Sequence, residues 1–394
     1  MQMDSVLIVS IARTPQGKLL GALKDVTGTE LGATAIKAAV QRAKLVATDI
    51  DEILMGCVLP AGLGQAPARQ AALKAGLPTH TNCTTINKVC GSGMKAVMLA
   101  HAMILSQPDS IIVAGGMESM TNAPYLLKKA RQGYRLGHGD LFDHMQLDGL
   151  EDAYEPGRLM GTFAENCAAE FHFSRQDQDD YATASLMRAQ KAIQDKSFHF
   201  EMVPVTIQNR QGEITVDTDE HPGSVKLEKI PLLPPAFSPD GTITAASSAA
   251  IADGAAAVVL MHSTEVEKRG LSALARIIGY SSHAKSPDQF TTAPIDAIKK
   301  LLKKVSWKIA EVDLFEVNEA FAVVPMVVMK ELNIPHEKIN IFGSGCALGH
   351  PIGATGTRII VTLISALKSR GLKKGIASLC IGGGEATAIA IEML

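Results

Sequence analysis

The feature that most narrows the fold of this chain is an internal repeat. Asp49–Gly56 (DIDEILMG) is echoed by Glu311–Asn318 (EVDLFEVN), and Ser110–Ser119 (SIIVAGGMES) by Ala377–Thr387 (ASLCIGGGEAT). Cys90 follows Gly56 by 34 residues and His350 follows Asn318 by 32, each at the entry to an apolar, helix-like run. Repetition of this kind means two similar units that bury their apolar faces against one another. It predicts two similar α/β halves with Cys90 and His350 at matching helix N-termini, facing one cleft. Val6–Ala12, Asp51–Val58, Ser110–Ala114 and Ala256–Met261 are short apolar, strand-like runs, whereas Glu30–Ala43 carries helical periodicity and a second helix is expected near Ala66–Ala75. Their alternation predicts a parallel sheet covered on both faces.

The 394 residues are 46% hydrophobic, enough for a large core and two or more domains. A formal net charge of -2 gives nucleic-acid binding no electrostatic support. Cysteines at 57, 83, 90, 167, 346 and 380 form no C-x-x-C pair, and no secretory signal precedes them. That pattern fits a reduced, cytoplasmic protein better than a disulfide scaffold or a zinc site. No stretch approaches eighteen consecutive apolar residues, so no membrane span is expected.

From about Thr121 to Phe237 charges, aromatics, His and Gly become dense. One helix is expected there, around Gln176–Gln194, and Pro204–Phe237 reads as short strands and turns. This region reads as an insertion lying over a site, where loops carry specificity.

The chemistry gathers in four places. In Asn87–Ala96 (NKVCGSGMKA) a cysteine precedes small residues that open a helix. The helix's unpaired N–H groups and positive end would favour the nucleophilic thiolate; the plain alternative is a small buried hydrophobe. Val317–Ala322 (VNEAFA) ends a strand with Asn318 and Glu319, Cys346–Gly356 (CALGHPIGATG) sets His350 at a loop-to-helix entry, and Cys380–Gly384 (CIGGG) closes an apolar strand. Singly these are a turn cap, a core histidine and sheet packing. At corresponding ends of two halves they point to one shared site, because ligands bind at the carboxyl ends of parallel strands. The GLG at 62–64 and GSG at 343–345 do not make a dinucleotide fingerprint, which argues against a dehydrogenase.

In this order and at these distances, NKVCGSGMKA, GGMESMTNAPY, VNEAFA, GHPIGATG and CIGGG resemble the thiolase family over essentially the whole chain. The likeness is greatest to its acetoacetyl-CoA branch, with the broad-chain 3-ketoacyl-CoA branch next. The resemblance implies an α/β fold of two duplicated halves in a five-layer αβαβα arrangement with an inserted loop domain. The halves would be 1–120, completed by 245–268, and 269–394, with the loop domain at 121–244. It also implies ping-pong chemistry: Cys90 takes an acyl group, His350 draws off its proton, and Cys380 exchanges a proton with the α-carbon of a second acetyl-CoA. One oxyanion hole would combine His350 with a water held by Asn318; the other would use the N–H groups of Cys90 and Gly382. Leu150, Met160, Phe237 and Phe321 match positions along the coenzyme A and acyl path, Ser247 or Ser248 would bond the pantetheine amides, and Phe290 aligns with an acyl-pocket wall. No tightly bound cofactor is implied, only coenzyme A as substrate and product, and the assembly would be a homodimer or tetramer without nucleic-acid or membrane partners.

The chain departs from the family pattern at Leu159, where a histidine is usual, and at Ser247-Ser248-Ala249-Ala250, where NASG is usual. It also departs at Gly223 and Pro234, where basic residues are usual. Lys226 or Lys229 would supply the missing charge. Two other readings compete. A condensing enzyme of the same fold is disfavoured by Cys380, and an idle acyl-CoA carrier is disfavoured by the intact chemical positions.

Overall fold

The computed structural model describes residues 5–209 and 212–394, and the repeat is visible in it strand by strand. The first half contains β1 (Val6–Arg13), β2 (Glu52–Gly56), β3 (Asn82–Ile86), β4 (Ile112–Ser119) and, after a long excursion, β5 (Ala252–His262). Its helices are α1 (Gly28–Arg42), α2 (Pro67–Lys74) and α3 (Ser92–Ser106). The excursion carries α4 (Met160–Glu170) and α5 (Arg175–Gln194). The second half contains β6 (Ala275–Ala284), β7 (Leu314–Val317), β8 (Lys374–Ile381) and β9 (Glu385–Met393). With them come α6 (Ala293–Val305), α7 (Val323–Leu332) and α8 (Ile352–Arg370).

The pairings correspond. β1 runs antiparallel to β5 (Leu7 opposite Met261), β5 antiparallel to β4 (Val258 opposite Ala114), and β4 parallel to β2 (Val113 opposite Ile53). In the second half β6 runs antiparallel to β9 (Ile277 opposite Ile391), β9 antiparallel to β8 (Ala388 opposite Ser378), and β8 parallel to β7 (Ile376 opposite Phe315). Where β3 flanks β2 in the first half, Ile339 makes a single parallel bridge to Phe315 in the second. β1 and β6 join the two sub-sheets through Leu7 opposite Arg276 and Ile8 opposite Ala275. Among the described residues the result is one ten-stranded sheet, a path of nine strands with the short strand Gly17–Lys18 paired beside it on β5.

The sheet is therefore mixed, not parallel as the apolar runs suggested. Burial on both faces accounts for those runs: every residue of β1 and β5 is buried. The direction is set by the connections. β8 and β9 are joined only by Gly382-Gly383-Gly384, with φ +90 at the last two, and so short a link returns the chain antiparallel. In the first half the same hairpin is opened between β4 and β5, and the intervening residues form the excursion.

α1 starts at a capping box in which Thr27 and Glu30 bond each other's backbone N–H. Its buried side packs on β1, β4 and β5, while α6 covers β6, β8 and β9. Between the sub-sheets lie α3 and α8, packed on one another and on strands of both layers. α3 is unusually apolar. Val89–Ser106 is long and apolar enough, by length and composition, to cross a membrane. Here that apolarity serves packing, since Met94, Val97, Met98 and Ile104 are buried in the core shared with α8. α4 was not expected. Met160–Glu170 has no side-chain cap and a mixed composition, and it is held by tertiary contacts: Phe163, Ala164 and Cys167 pack with Ile243 and Phe290, and Glu165 accepts from the N–H groups of Thr242 and Ile243.

Where β2 ends, backbone meets backbone. A Cβ on Gly56 would lie 2.6 Å from the Gly353 carbonyl oxygen and 2.7 Å from the Gly93 nitrogen. Only main chain stands there, so nothing flexible can yield. Gly56→Ala is expected to lower stability by about 1–3 kcal/mol through overpacking, read as a lower urea midpoint. An unchanged midpoint would mean that α3 and α8 stand further apart in solution.

Candidate active site

Cys90 is set by a strained turn. β3 ends at Ile86, and three residues later Val89 takes φ +47, a conformation foreign to a β-branched residue. Side chains over-determine it. Asn87 Oδ1 accepts from the Val89 N–H at 2.9 Å; Ser92 Oγ accepts from the Lys88 N–H at 2.8 Å and donates to the Val89 carbonyl at 2.6 Å. Cys90 then stands two residues before the first residue of α3, and His350 stands two before the first of α8.

The backbone N–H groups of Gly382 and of Cys90 itself favour the Cys90 thiolate. Burial opposes them and, with nearby Glu118, pushes the thiol up to about 11. The N–H groups act in the expected direction, toward the thiolate, and desolvation acts against them more strongly. Glu118, buried at the end of β4, accepts from the N–H groups of Val58, Leu59 and Gly353 at 2.9, 3.1 and 2.8 Å. Burial nonetheless lifts it to about 7.

His350 is buried, and its Nδ1 lies 2.6 Å from Thr355 Oγ1. The single Thr355 hydroxyl proton goes to the Pro351 carbonyl at 2.9 Å, so Nδ1–H donates to the hydroxyl oxygen. That assigns the tautomer from the bonding network and leaves Nε2 with a free lone pair. Nε2 is buried without a hydrogen-bond partner among the described residues. Burial, reinforced by Arg358, lowers the imidazole to about 3. Cys90 and His350 therefore rest as neutral thiol and neutral imidazole.

Asn318 follows β7 directly. Its Oδ1 accepts from Arg358 at 3.3 Å, while Nδ2 is buried and unpartnered among the described residues. Arg358, itself buried, is fixed by Glu316 and Ser344 at 3.1 Å each. Next to it Glu319 accepts from Tyr181, Ser185, Asn340 and the Cys346 N–H at 3.0, 2.7, 2.9 and 3.1 Å. This buried polar layer fixes which way the Asn318 amide faces.

Cys90, His350, Cys380 and Gly382 line one cavity of about 260 Å3, together with Leu150, Met160, Phe237, Ser248, Phe290 and Phe321. Cys380 ends β8 and is buried, and burial plus the neighbouring Cys90 raise its thiol well above the ordinary range. Three phenyl rings meet edge to face, Phe237 with Phe321 at 5.8 Å and Phe290 with Phe321 at 6.4 Å. Three expected site residues do not line the cavity: Asn318, Ser247 and Lys226. Ser247 is fully buried with its hydroxyl accepting from the Thr244 N–H, and Lys226 lies with Lys229 and His221 on a second cavity of about 270 Å3. Ser248 lines the first cavity but already donates to the Thr244 carbonyl at 2.8 Å. The sequence reading missed Met120, Gln146, Ile251 and Ile352 in the wall, and Thr355 and Arg358 behind it. Gln146 opens the one-turn π-helix Gln146–Leu150, a geometry invisible in the residue pattern and frequent at functional sites.

The chain resembles known proteins over nearly its whole length. The family description "Thiolase, N-terminal domain" matches residues 6–264, and "Thiolase, C-terminal domain" matches residues 271–393. The chain is 46% identical to a probable acetyl-CoA acetyltransferase of Dictyostelium discoideum, over 100% of this chain and 95% of that one. It is 45% identical to an acetyl-CoA acetyltransferase of Cupriavidus necator, over 99% and 100%. Among solved structures it resembles the Bacillus anthracis acetyl-CoA acetyltransferase, with TM-score 0.96, 43% identity and coverage of 100% and 99%. It also resembles the Acat5 thiolase of Ascaris suum in complex with coenzyme A, with TM-score 0.93, 39% identity and coverage of 99% and 100%. With both family domains matched in order across nearly its whole length, the chain belongs to the thiolase family.

Proposed function

We propose that the protein is an acetyl-CoA acetyltransferase that joins two acetyl-CoA molecules into acetoacetyl-CoA and coenzyme A, and runs thiolysis in reverse. The observation that carries the reading is the convergence of Cys90, the bare Nε2 histidine His350, Cys380 and Gly382 on one apolar cavity. The names of the full-length relatives support it.

In the first half-reaction the Cys90 proton passes to His350 Nε2 as the sulfur attacks the thioester carbonyl. The departing coenzyme A sulfur takes that proton back, leaving an acetyl thioester on Cys90. In the second, Cys380 passes its proton to His350 Nε2 and as thiolate removes a proton from the methyl carbon of the next acetyl-CoA; the imidazolium returns the stored proton to Cys90 when its thiolate is displaced. A thiol held well above its ordinary range is a correspondingly strong base once ionised, which suits a weak carbon acid. The enolate carbon attacks the acyl-Cys90 carbonyl and displaces the thiolate. The negative charge on each thioester oxygen needs donors already in place. The N–H groups of Cys90 and Gly382 serve the acyl-enzyme, and His350 with a water on Asn318 Nδ2 serves the enolate.

For coenzyme A itself the reading uses both cavities. Leu233, Ala245 and Ala246 line the second; Phe237, Ser248 and Ala249 line the first, so the same two chain segments flank both. A long ligand with its thioester at Cys90 would place its phosphates beside Lys226 and Lys229. Reversing both charges (Lys226→Glu with Lys229→Glu) should raise KM for coenzyme A about tenfold, roughly 1.4 kcal/mol, with kcat within twofold. An unchanged KM would remove these lysines from the ligand path.

The direct test is thiolysis of 3-oxoacyl-CoAs of increasing chain length with Cys90→Ala and Cys380→Ala alongside. A hundredfold preference in kcat/KM for acetoacetyl-CoA, about 2.7 kcal/mol of transition-state binding, supports the short-chain reading; a flat profile makes the enzyme a broad 3-ketoacyl-CoA thiolase. Cys90→Ala should lose all turnover. Cys380→Ala should still acquire an acetyl group on Cys90, seen by mass spectrometry, yet form no acetoacetyl-CoA, and condensation at the native rate by this variant would sink the two-cysteine mechanism.

The resting protonation states give a pH signature. Below about 11 the Cys90 thiolate fraction grows with pH, so iodoacetamide alkylation of the ligand-free enzyme should rise about tenfold per pH unit between pH 7 and 10. A plateau already reached near pH 6 would reveal a preformed thiolate–imidazolium pair.

A further inference from the structure

Lys88 and Glu385 form an ion pair across the two halves of the molecule. Lys88 lies two residues before Cys90, on the strained turn at Val89; Glu385 lies three residues after Gly382, where the glycine turn re-enters β9. Each anchor is tied to the segment it would hold. The Lys88 N–H donates to Ser92 and the Lys88 carbonyl accepts from the Gly91 N–H at 3.0 Å. Behind Glu385 the Gly384 carbonyl accepts from the Lys285 N–H at 2.8 Å, and a Cβ on Gly384 would lie 2.6 Å from the Lys285 carbonyl oxygen. Between these anchors stand the peptide N–H groups of Cys90 and of Gly382, the two that favour the Cys90 thiolate, on segments close enough that a Cβ on Gly382 would lie 3.7 Å from Val89 Cγ1. One belongs to the first half and one to the second. β3, which leads to Cys90, and β8, which leads to Gly382, share no pairing and stand toward opposite ends of the sheet, so no strand ladder sets the gap.

We propose that the Lys88–Glu385 pair is a positioning device that fixes the separation of the Cys90 and Gly382 N–H donors, and so tunes both the thiolate and the oxyanion formed on the acyl-enzyme. The assignment rests on the thiolase reading for its second part only. Both side chains are partly exposed, and an exposed pair adds little to folding stability. Its effect is felt instead in geometry, where donors must match the oxyanion's position closely. Lys88 and Glu385 act through the backbone they hold, without touching substrate.

The test compares Lys88→Met, Glu385→Met and the charge-swapped double variant Lys88→Glu/Glu385→Lys with the full-length enzyme. Each single variant should lose about fivefold to tenfold in kcat for acetoacetyl-CoA thiolysis, with KM within twofold and the thermal midpoint within about 2 °C. Its Cys90 should alkylate about threefold more slowly with iodoacetamide at pH 8. The swap should recover at least half of kcat. Single variants with native kcat and native alkylation would overturn the proposal, as would a swap no faster than the slower single. A rise in KM with kcat intact would also overturn it, by making Lys88 a ligand contact. If the native protein shows no thiolysis at all, the functional reading fails, and the alkylation rates still decide whether the pair positions the N–H groups.

Discussion

Everything about this site depends on how closely α3 and α8 approach at the end of β2. Gly56, Gly93 and Gly353 let main chain touch main chain there, with no room for a Cβ on Gly56. That contact sets two helix N-termini side by side between the sub-sheets, and Cys90 and His350 occupy the equivalent position on each. Helix pairs held apart by side chains stand about 8–10 Å between axes; here glycine removes the side chains from the contact. The duplication thus supplies the symmetry, and the glycines convert symmetry into contact.

Burial is the second organising force, and it works against charge. Cys90, His350 and Cys380 are all driven toward their neutral forms by desolvation. A site holding a permanent thiolate and imidazolium would need to solvate both. This one holds neither and provides instead directed donors and one bare lone pair, so charge appears only when a substrate oxygen or α-carbon is there to share it. Arg358, held by Glu316 and Ser344, donates to Asn318 Oδ1 and so fixes which way that amide faces.

Much of this was legible in the residues, and what was hidden has physical reasons. The echo of Asp49–Gly56 in Glu311–Asn318 announced the two halves, because the same burial recurs in both. The small residues after Cys90 and His350 announced helix entries. Strand direction was not legible: a strand buried on both faces looks alike whether its neighbour is parallel or antiparallel, and only the brevity of Gly382–Gly384 decides. The lowered Cys90 pKa expected from helix polarity was a local argument defeated by a non-local term, burial beneath the inserted region. Thr355 and Val89 escaped notice because a tautomer and a backbone dihedral leave no periodicity. Ser247 is taken out of reach by the Thr244 N–H that its hydroxyl accepts, and Lys226, expected for its charge, stands on the second cavity; neither contact leaves a mark in the residue pattern.

The two hairpins that correspond by descent differ in how far apart their partners lie along the chain. In the second half, three glycines separate β8 from β9. In the first, Ser119 and Asp253 face each other at a sequence separation of 134. Loop closure grows only slowly more costly with length, but pairings of large separation form late. On a chain emerging from its N-terminus, β1 and β4 must wait for β5 before their sheet is complete, and His350 and Gly382 arrive later still. The nucleophile is therefore made long before the groups that activate it, and its reactivity toward thioesters begins only when the last quarter of the polypeptide has been added.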